Sequence, residues 1–107
     1  MEISTHVLDL VAGRPAAAVT VTLSRQQADG GWRRLAHSAT GADGRLSFAD
    51  LPDEPASYRL SYDSAGYFAG ASCYPEVSLC WRPVRAAGRH HLALAWSPFG
   101  FSTYQGS

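Results

Sequence analysis

The chain of 107 residues is long enough for one domain with a hydrophobic core of its own. Hydrophobic residues make up 46% of it and charged residues 17%, which excludes a disordered chain. The formal net charge is zero, so no basic field exists to hold a phosphate backbone, and we expect no nucleic-acid partner.

Most of the chain alternates apolar and polar residues, as half-buried strands do. We predict strands, in chain order, near Thr5–Leu10, Ala18–Ser24, Trp32–Ala39, Arg45–Phe48, Tyr58–Tyr62, Val77–Trp81, His90–Trp96 and Phe101–Gln105. Gly13-Arg14-Pro15 separates the first two. Asp29-Gly30-Gly31 and Asp43-Gly44 are predicted turns, because glycine accepts a positive φ without steric cost. Ser64–Ala71 is the only candidate helix, with Ser64 as its N-cap.

Short strands separated by turn residues predict an all-β sandwich of two antiparallel sheets, with residues 1–107 as a single domain. The alternation places these apolar residues in the core: Val19, Val21, Leu23, Leu60, Val77, Leu79, Leu92 and Leu94. Periodicity alone indicates no function.

Histidines and arginines are the residues through which an enzyme with this sequence would act. There is no Gly-x-Ser-x-Gly elbow, no visible carboxylate pair and no lysine, so serine-elbow and lysine-nucleophile chemistry have no support. The four histidines are candidate acids or bases: His6, His37, His90 and His91. Taken singly, each histidine reads best as an ordinary strand residue, and Arg45 as a solvated turn charge.

His90 and His91 must point to opposite faces of their strand, because successive side chains alternate. The face of His90 continues through Leu92, Leu94 and Trp96, which is typical of core. The face of His91 continues through two alanines, which leaves room for a ligand. Packing of those small residues against another layer is the alternative that the pattern alone favours.

Cys73 and Cys80 are predicted to be free thiols in a reducing cytoplasm. No Cys/His spacing suits a metal, so we expect no metal site. No apolar run reaches the ~18–20 residues that span a bilayer, and the first residues lack the pattern of a secretory signal. We therefore expect a cytoplasmic protein with no membrane partner.

Four blocks of the sequence resemble the transthyretin-like proteins. The first is Ile3–Leu10 followed by Gly13-x-Pro15-Ala16, and the others are Asp43–Leu46, Tyr74–Val77 and Ser97–Ser107. The blocks run from end to end in the family's order. The resemblance implies a sandwich of two antiparallel four-stranded sheets with one short helix.

The family has two functional branches, a thyroid-hormone carrier and a hydrolase of 5-hydroxyisourate in urate degradation. The hydrolase branch is marked by residues that match His6, Arg45 and His91 here, where the carrier has lysine, glutamate and threonine. The resemblance therefore implies hydrolysis of the cyclic amide of 5-hydroxyisourate. A non-catalytic carrier of a planar ligand is the alternative.

On this resemblance, His6, Arg45 and His91 are the catalytic residues, and which histidine is the general base stays open. The closing block implies substrate contacts from Tyr104, Gln105, Gly106 and Ser107. Gln105 departs from the family, which usually has arginine there. No cofactor or metal is implied. The family assembles as a homotetramer, a dimer of dimers, with its sites in a channel between subunits.

Overall fold

Nine strands and one short helix make up the computed structural model, which describes residues 1–106. The strands are β1 (Glu2–Asp9), β2 (Arg14–Pro15), β3 (Thr20–Gln26), β4 (Trp32–Ala39), β5 (Arg45–Phe48), β6 (Tyr58–Tyr62), β7 (Val77–Trp81), β8 (Arg89–Ser97) and β9 (Gly100–Gly106). The helix α1 spans Ser64–Tyr67. The predicted all-β class is confirmed.

The first sheet has the order β2-β1-β8-β9, and β5 also pairs with β1. Its centre differs from the predicted antiparallel arrangement, because β1 and β8 run parallel, from Glu2 opposite Arg89 to Asp9 opposite Trp96. Strand direction leaves no trace in an alternating pattern, since both arrangements share the period of two. This sheet carries five strands instead of the expected four.

The fifth strand, β2, lies where the sequence indicated only a separator. Arg14 and Pro15 pair with the last two residues of β1. Two residues are too few to show any alternation, so no periodicity could reveal this strand.

The second sheet has the order β4-β3-β6-β7, and all its pairings are antiparallel. The two sheets enclose one core, and all eight residues predicted for it are buried there. The core also holds large residues that the prediction did not include, among them Ile3, Tyr58, Tyr62 and Trp96. Burying each such side chain stabilises the fold by about 1.5–3 kcal/mol.

The helix is shorter than predicted, and its N-cap lies one residue before the predicted Ser64. Asp63 is the N-cap, with its carboxylate accepting from the backbone N–H of Gly66 at 2.9 Å. The helix places Tyr67 and Phe68 against Trp96, with ring centroids 5.4 and 5.1 Å away. These contacts anchor the helix to the core.

Both cysteines are free, as predicted, and the structure shows that both are exposed. Across residues 1–106, none of the helical structure is long and apolar enough to cross a membrane.

Candidate active site

The outer face of the first sheet brings the three predicted catalytic residues onto one surface. On β1, the face opposite the core carries Ser4 and His6. His6 lies directly between Arg45 of β5 and Ala93 of β8, and Ser4 lies directly beside His91 of β8. Neighbouring strands lie about 4.8 Å apart, so these side chains share one small area of the sheet.

Arg45 is positioned by the tight turn that precedes it. Gly44 has a φ of 76°, and a Cβ there would lie 2.5 Å from the carbonyl oxygen of Val7. Only glycine fits so close to β1. The Asp43 carboxylate accepts from the backbone N–H of Arg45 at 3.0 Å, which fixes the chain as β5 begins.

A depression of about 400 Å³ opens on this face. Its lining includes two predicted site residues, Arg45 and His91, together with polar neighbours; the full set is Ser4, Thr5, Asp43, Arg45, Leu46, Ser47, Arg89 and His91. His6 lies beside the depression without lining it. Its Nε2 donates to the backbone carbonyl of Asp43 at 2.9 Å, which turns the ring toward the turn before β5.

His91 is held on two sides. Its Nδ1 lies 2.8 Å from the hydroxyl oxygen of Ser4. On another edge its ring packs on Gly106, where an added Cβ would lie 2.9 Å from the Cδ2 of His91. Burial, followed by the positive charges of Arg45, His6 and Arg89, lowers the pKa of His91 below its ordinary value of 6.5. The neutral imidazole is therefore favoured near pH 7.

The closing residues of the chain divide between two faces of β9. Tyr104 and Gly106 pair with Ala93 and His91, so they extend the two cross-strand rows of the site. Neither lines the depression, their roles as substrate contacts stay predictions, and Tyr104 also borders the cleft that Gln105 lines. Gln105 pairs with the core-facing Leu92 and lines a separate cleft with it, at the sandwich edge. Within one chain Gln105 therefore lies away from the depression, and its role as a substrate contact stays a prediction. Ser107 lies outside the described residues.

His90 takes the opposite face from His91, as the alternation predicted. It is 2% exposed, and its Nε2 lies 3.1 Å from the carbonyl oxygen of Ala87. It therefore belongs to the packed interior.

Five polar residues of the depression were not predicted as site residues: Ser4, Thr5, Asp43, Ser47 and Arg89. Arg89 is held by Glu2, with Nε and the carboxylate oxygen 2.8 Å apart, and Glu2 also accepts a hydrogen bond from Ser47. Ser4 could have been found from its place two residues before His6, on the same strand face. Arg89 and Ser47 become site residues only through pairing of distant strands.

Comparison with known proteins identifies the family of this chain. The model described as "HIUase/Transthyretin family" matches residues 3–106. The chain belongs to the HIUase/transthyretin family.

Two relatives in this family illustrate its range. The 5-hydroxyisourate hydrolase of Mus musculus is 33% identical over 111 residues, covering 98% of this chain and 94% of that protein. The uric acid degradation bifunctional protein TTL of Arabidopsis thaliana is 39% identical over 120 residues. That match covers 98% of this chain but only 37% of the plant protein.

Solved structures of the family include both functional branches. The 5-hydroxyisourate hydrolase of Klebsiella pneumoniae has a TM-score of 0.85 and 33% identity, with both chains fully covered. Transthyretin from Sparus aurata also has a TM-score of 0.85, with 27% identity and coverage of 97% of this chain and 95% of that one. Backbone similarity alone therefore does not separate hydrolase from transthyretin, and the site residues must do so.

Proposed function

We propose that this protein hydrolyses the cyclic amide of 5-hydroxyisourate, opening its six-membered ring to 2-oxo-4-hydroxy-4-carboxy-5-ureidoimidazoline in urate degradation. The observation that carries the proposal is the convergence of His6, Arg45 and His91 on one outer sheet face beside a 400 Å³ depression. Relatives named as this hydrolase at 33% identity over nearly the whole chain support it.

The reaction needs a group that takes a proton from water and a positive charge near the oxygen that becomes an oxyanion. Neutral imidazole suits the first task, and the lowered pKa of His91 keeps that ring neutral. The guanidinium of Arg45 suits the second, because it stays charged and offers paired donors to a carbonyl-rich substrate.

Proton transfer completes the reaction. Water adds to the carbonyl carbon as its proton passes to a histidine, and the ring C–N bond then breaks. The electron pair of that bond goes to nitrogen, which receives a proton from an imidazolium. The new carboxylic acid loses its remaining proton to solvent, and the product carboxylate stays beside Arg45 until release. His6 and His91 both lie on the face where this exchange takes place.

A carrier of a planar small ligand is the second candidate, favoured by the equal structural similarity to Sparus aurata transthyretin. An ultraviolet assay with freshly prepared 5-hydroxyisourate separates the two. We expect the protein to accelerate the loss of substrate absorbance. With the double variant His6→Ala/His91→Ala, the absorbance should fall only at the spontaneous rate. Substrate loss at the spontaneous rate with the unmodified protein would contradict the hydrolase.

We also propose that the protein acts as a homotetramer, a dimer of dimers. Apolar side chains are exposed in the loop after β1 and in the turn after β8: Leu10, Val11 and Phe99 are 60%, 71% and 76% exposed. The backbone N–H of Leu10 donates to the carbonyl of Trp96, so the two segments are neighbours. Monomers rarely expose grouped apolar surface of this kind.

Light scattering at micromolar concentration tests the assembly. A mass of four chains is expected, and Val11→Asp together with Phe99→Asp should lower it. A monomer mass with full activity would contradict the tetramer.

We propose the cytoplasm as the compartment, because exposed free thiols such as Cys73 and Cys80 persist in reducing surroundings. Alkylation of intact expressing cells before lysis should label both thiols. A bridge between them in the isolated protein would contradict this placement.

A further inference from the structure

The two site histidines are held by different kinds of hydrogen-bond partner. The Asp43 carbonyl beside His6 can only accept, so the hydrogen of that bond lies on His6 Nε2. In neutral His6 the free lone pair is then on Nδ1. The partner of His91 is the Ser4 hydroxyl, at 2.8 Å from Nδ1, and a hydroxyl either donates or accepts. His91 can therefore keep this bond in both neutral tautomers and as imidazolium.

We propose that Ser4 is a positioning residue for His91: its hydroxyl engages Nδ1 and leaves Nε2 as the nitrogen that exchanges protons with the substrate or water. The inference rests on the proposed function for the reaction itself. For His6 the nitrogen left to exchange protons is Nδ1, because Nε2 donates to the Asp43 carbonyl.

The strand register makes this contact a fixed feature of the sheet. Ser4 is the direct partner of His91 in the parallel β1–β8 pairing, at the centre of the first sheet. Central strands are held by hydrogen bonds on both sides, so the distance between the two Cα atoms is well fixed. The short serine side chain then reaches Nδ1 in a defined direction.

Gly106 limits the ring from another edge. A methyl group at this position would lie 2.9 Å from the Cδ2 of His91, closer than real Cβ contacts come. The ring therefore lies between a hydroxyl on β1 and a bare backbone position on β9. Among residues 1–106, no group forms a hydrogen bond to the Nε2 of His91, while Ser4 and His91 both line the depression. Nε2 is thus the nitrogen left for a ligand.

A hydroxyl partner suits a histidine that changes charge during turnover. With His91 neutral and protonated on Nδ1, Nε2 accepts a proton while Nδ1–H donates to Ser4. When Nε2 is protonated, Nδ1–H still donates to Ser4, so the ring keeps the same orientation in both charge states. A carboxylate partner would raise the pKa of His91 and favour the charged form; serine orients the ring without doing so.

The test compares Ser4→Ala and Ser4→Thr with the matched control Ser78→Ala. Ser78 is also a strand serine with a hydroxyl partner, the Oγ of Ser61 at 3.1 Å, but it lies on the outer face of the other sheet. Ser4→Ala should lower kcat about 10- to 100-fold, the range for a lost hydrogen bond to a charged group, with little change in KM. Ser4→Thr should recover most of kcat, and Ser78→Ala should match the unmodified protein.

Nitrogen-15 spectra of the His91 imidazole supply a readout that needs no turnover. Ser4→Ala should change the Nδ1 shift and its pH titration, and Ser4→Thr should restore them. Unchanged spectra and unchanged kcat in a folded Ser4→Ala protein would overturn the proposal. If the unmodified protein lacks hydrolase activity, the proposed function fails, whereas these spectra still decide whether Ser4 holds His91. Melting curves identify any variant that fails to fold. If Ser4→Ala does not fold, Ser4→Cys replaces it as the variant without the hydroxyl.

Discussion

The outer faces of the two sheets carry similar residues but differ in what those residues can do together. On the second sheet, His37, Thr22, Ser61 and Ser78 form one cross-strand row. The hollow beside that row is about 210 Å³, with Asp63 and Glu76 in its lining but no histidine or arginine. The first sheet has two adjacent rows that bring Arg45, His6, Ser4 and His91 around a depression of nearly twice that volume.

The comparison shows that a histidine among hydroxyls on the second sheet lacks the partners that the proposed reaction uses. His37 is exposed at an edge strand, without a second histidine or an arginine directly opposite it. The first sheet supplies those partners because β5 and β8 flank β1 on its two sides. Register, rather than composition, makes one face a candidate site.

The largest effect is expected from removing a site histidine. His6→Ala and His91→Ala should each lower kcat by about 10²–10⁴, the usual contribution of a positioned acid or base. His37→Ala is the matched control on the other face and should leave kcat unchanged. Steady-state ultraviolet kinetics measures all three. Equal losses in His37→Ala and His91→Ala would remove the distinction between the faces.

The second largest effect on kcat is expected from removing Arg45. Arg45→Ala removes the positive charge proposed to face the oxyanion and should raise the activation barrier by at least about 2.7 kcal/mol, roughly 100-fold in kcat. Arg34→Ala, an exposed arginine on β4 of the second sheet, serves as the control. A kcat for Arg45→Ala within twofold of the control would contradict the role of Arg45.

The pH profile sharpens the comparison further. Burial and the neighbouring charges of Arg45, His6 and Arg89 hold the pKa of His91 below 6.5, so neutral His91 persists as the pH falls. The acid limb of kcat/KM should therefore lie below pH 6.5. Arg89→Gln removes one of these charges and should move the limb to higher pH. A shift of the acid limb to lower pH in Arg89→Gln would show that a group other than His91 controls this limb.

His90 tests the register of β8 itself. Because its ring is buried and bonded to the carbonyl of Ala87, His90→Ala should reduce the free energy of unfolding by about 1–3 kcal/mol. Activity of the folded variant should change only mildly, since His90 faces away from the depression. Urea denaturation beside the kinetic assay measures both. Abolished turnover in His90→Ala with normal turnover in His91→Ala would transfer the site to His90.

The smallest effect is expected at Gln105. Gln105→Arg restores the residue usual in the resembling hydrolases, yet position 105 lies on the face of Leu92, away from His91 in the same chain. We expect kcat/KM to change little. A large gain would indicate that position 105 reaches the substrate in the assembled protein.

Much of the fold could be predicted from the sequence because alternation is a local property. Val19, Val21 and Leu23 lie in the core where period two placed them, and His90 and His91 separate as predicted. The parallel direction of β1 and β8 could not be predicted, because alternation is the same in either direction. The family resemblance, not periodicity, selected His6, Arg45 and His91.

The finer structure of the site depends on pairings between distant parts of the chain. The bond from Ser4 to His91 joins residues 87 positions apart, and the placement of Arg89 follows from the same pairing. Tyr104 and Gly106 join these rows, while Gln105 does not, because β9 alternates against β8 in a register that only the structure gives. These pairings between distant strands cannot be predicted from a local sequence pattern.

The parallel pairing of β1 with β8 also determines when the outer face of the first sheet forms during folding. An antiparallel hairpin can close early around a tight turn, whereas β1 must wait for a partner from the far end of the chain. Contacts at such long sequence separation slow folding to milliseconds or seconds, because the loop entropy is lost before the pairing stabilises anything. A partly folded chain thus has no surface with both histidines on it. During refolding, substrate turnover should emerge together with the complete sheet and never before it.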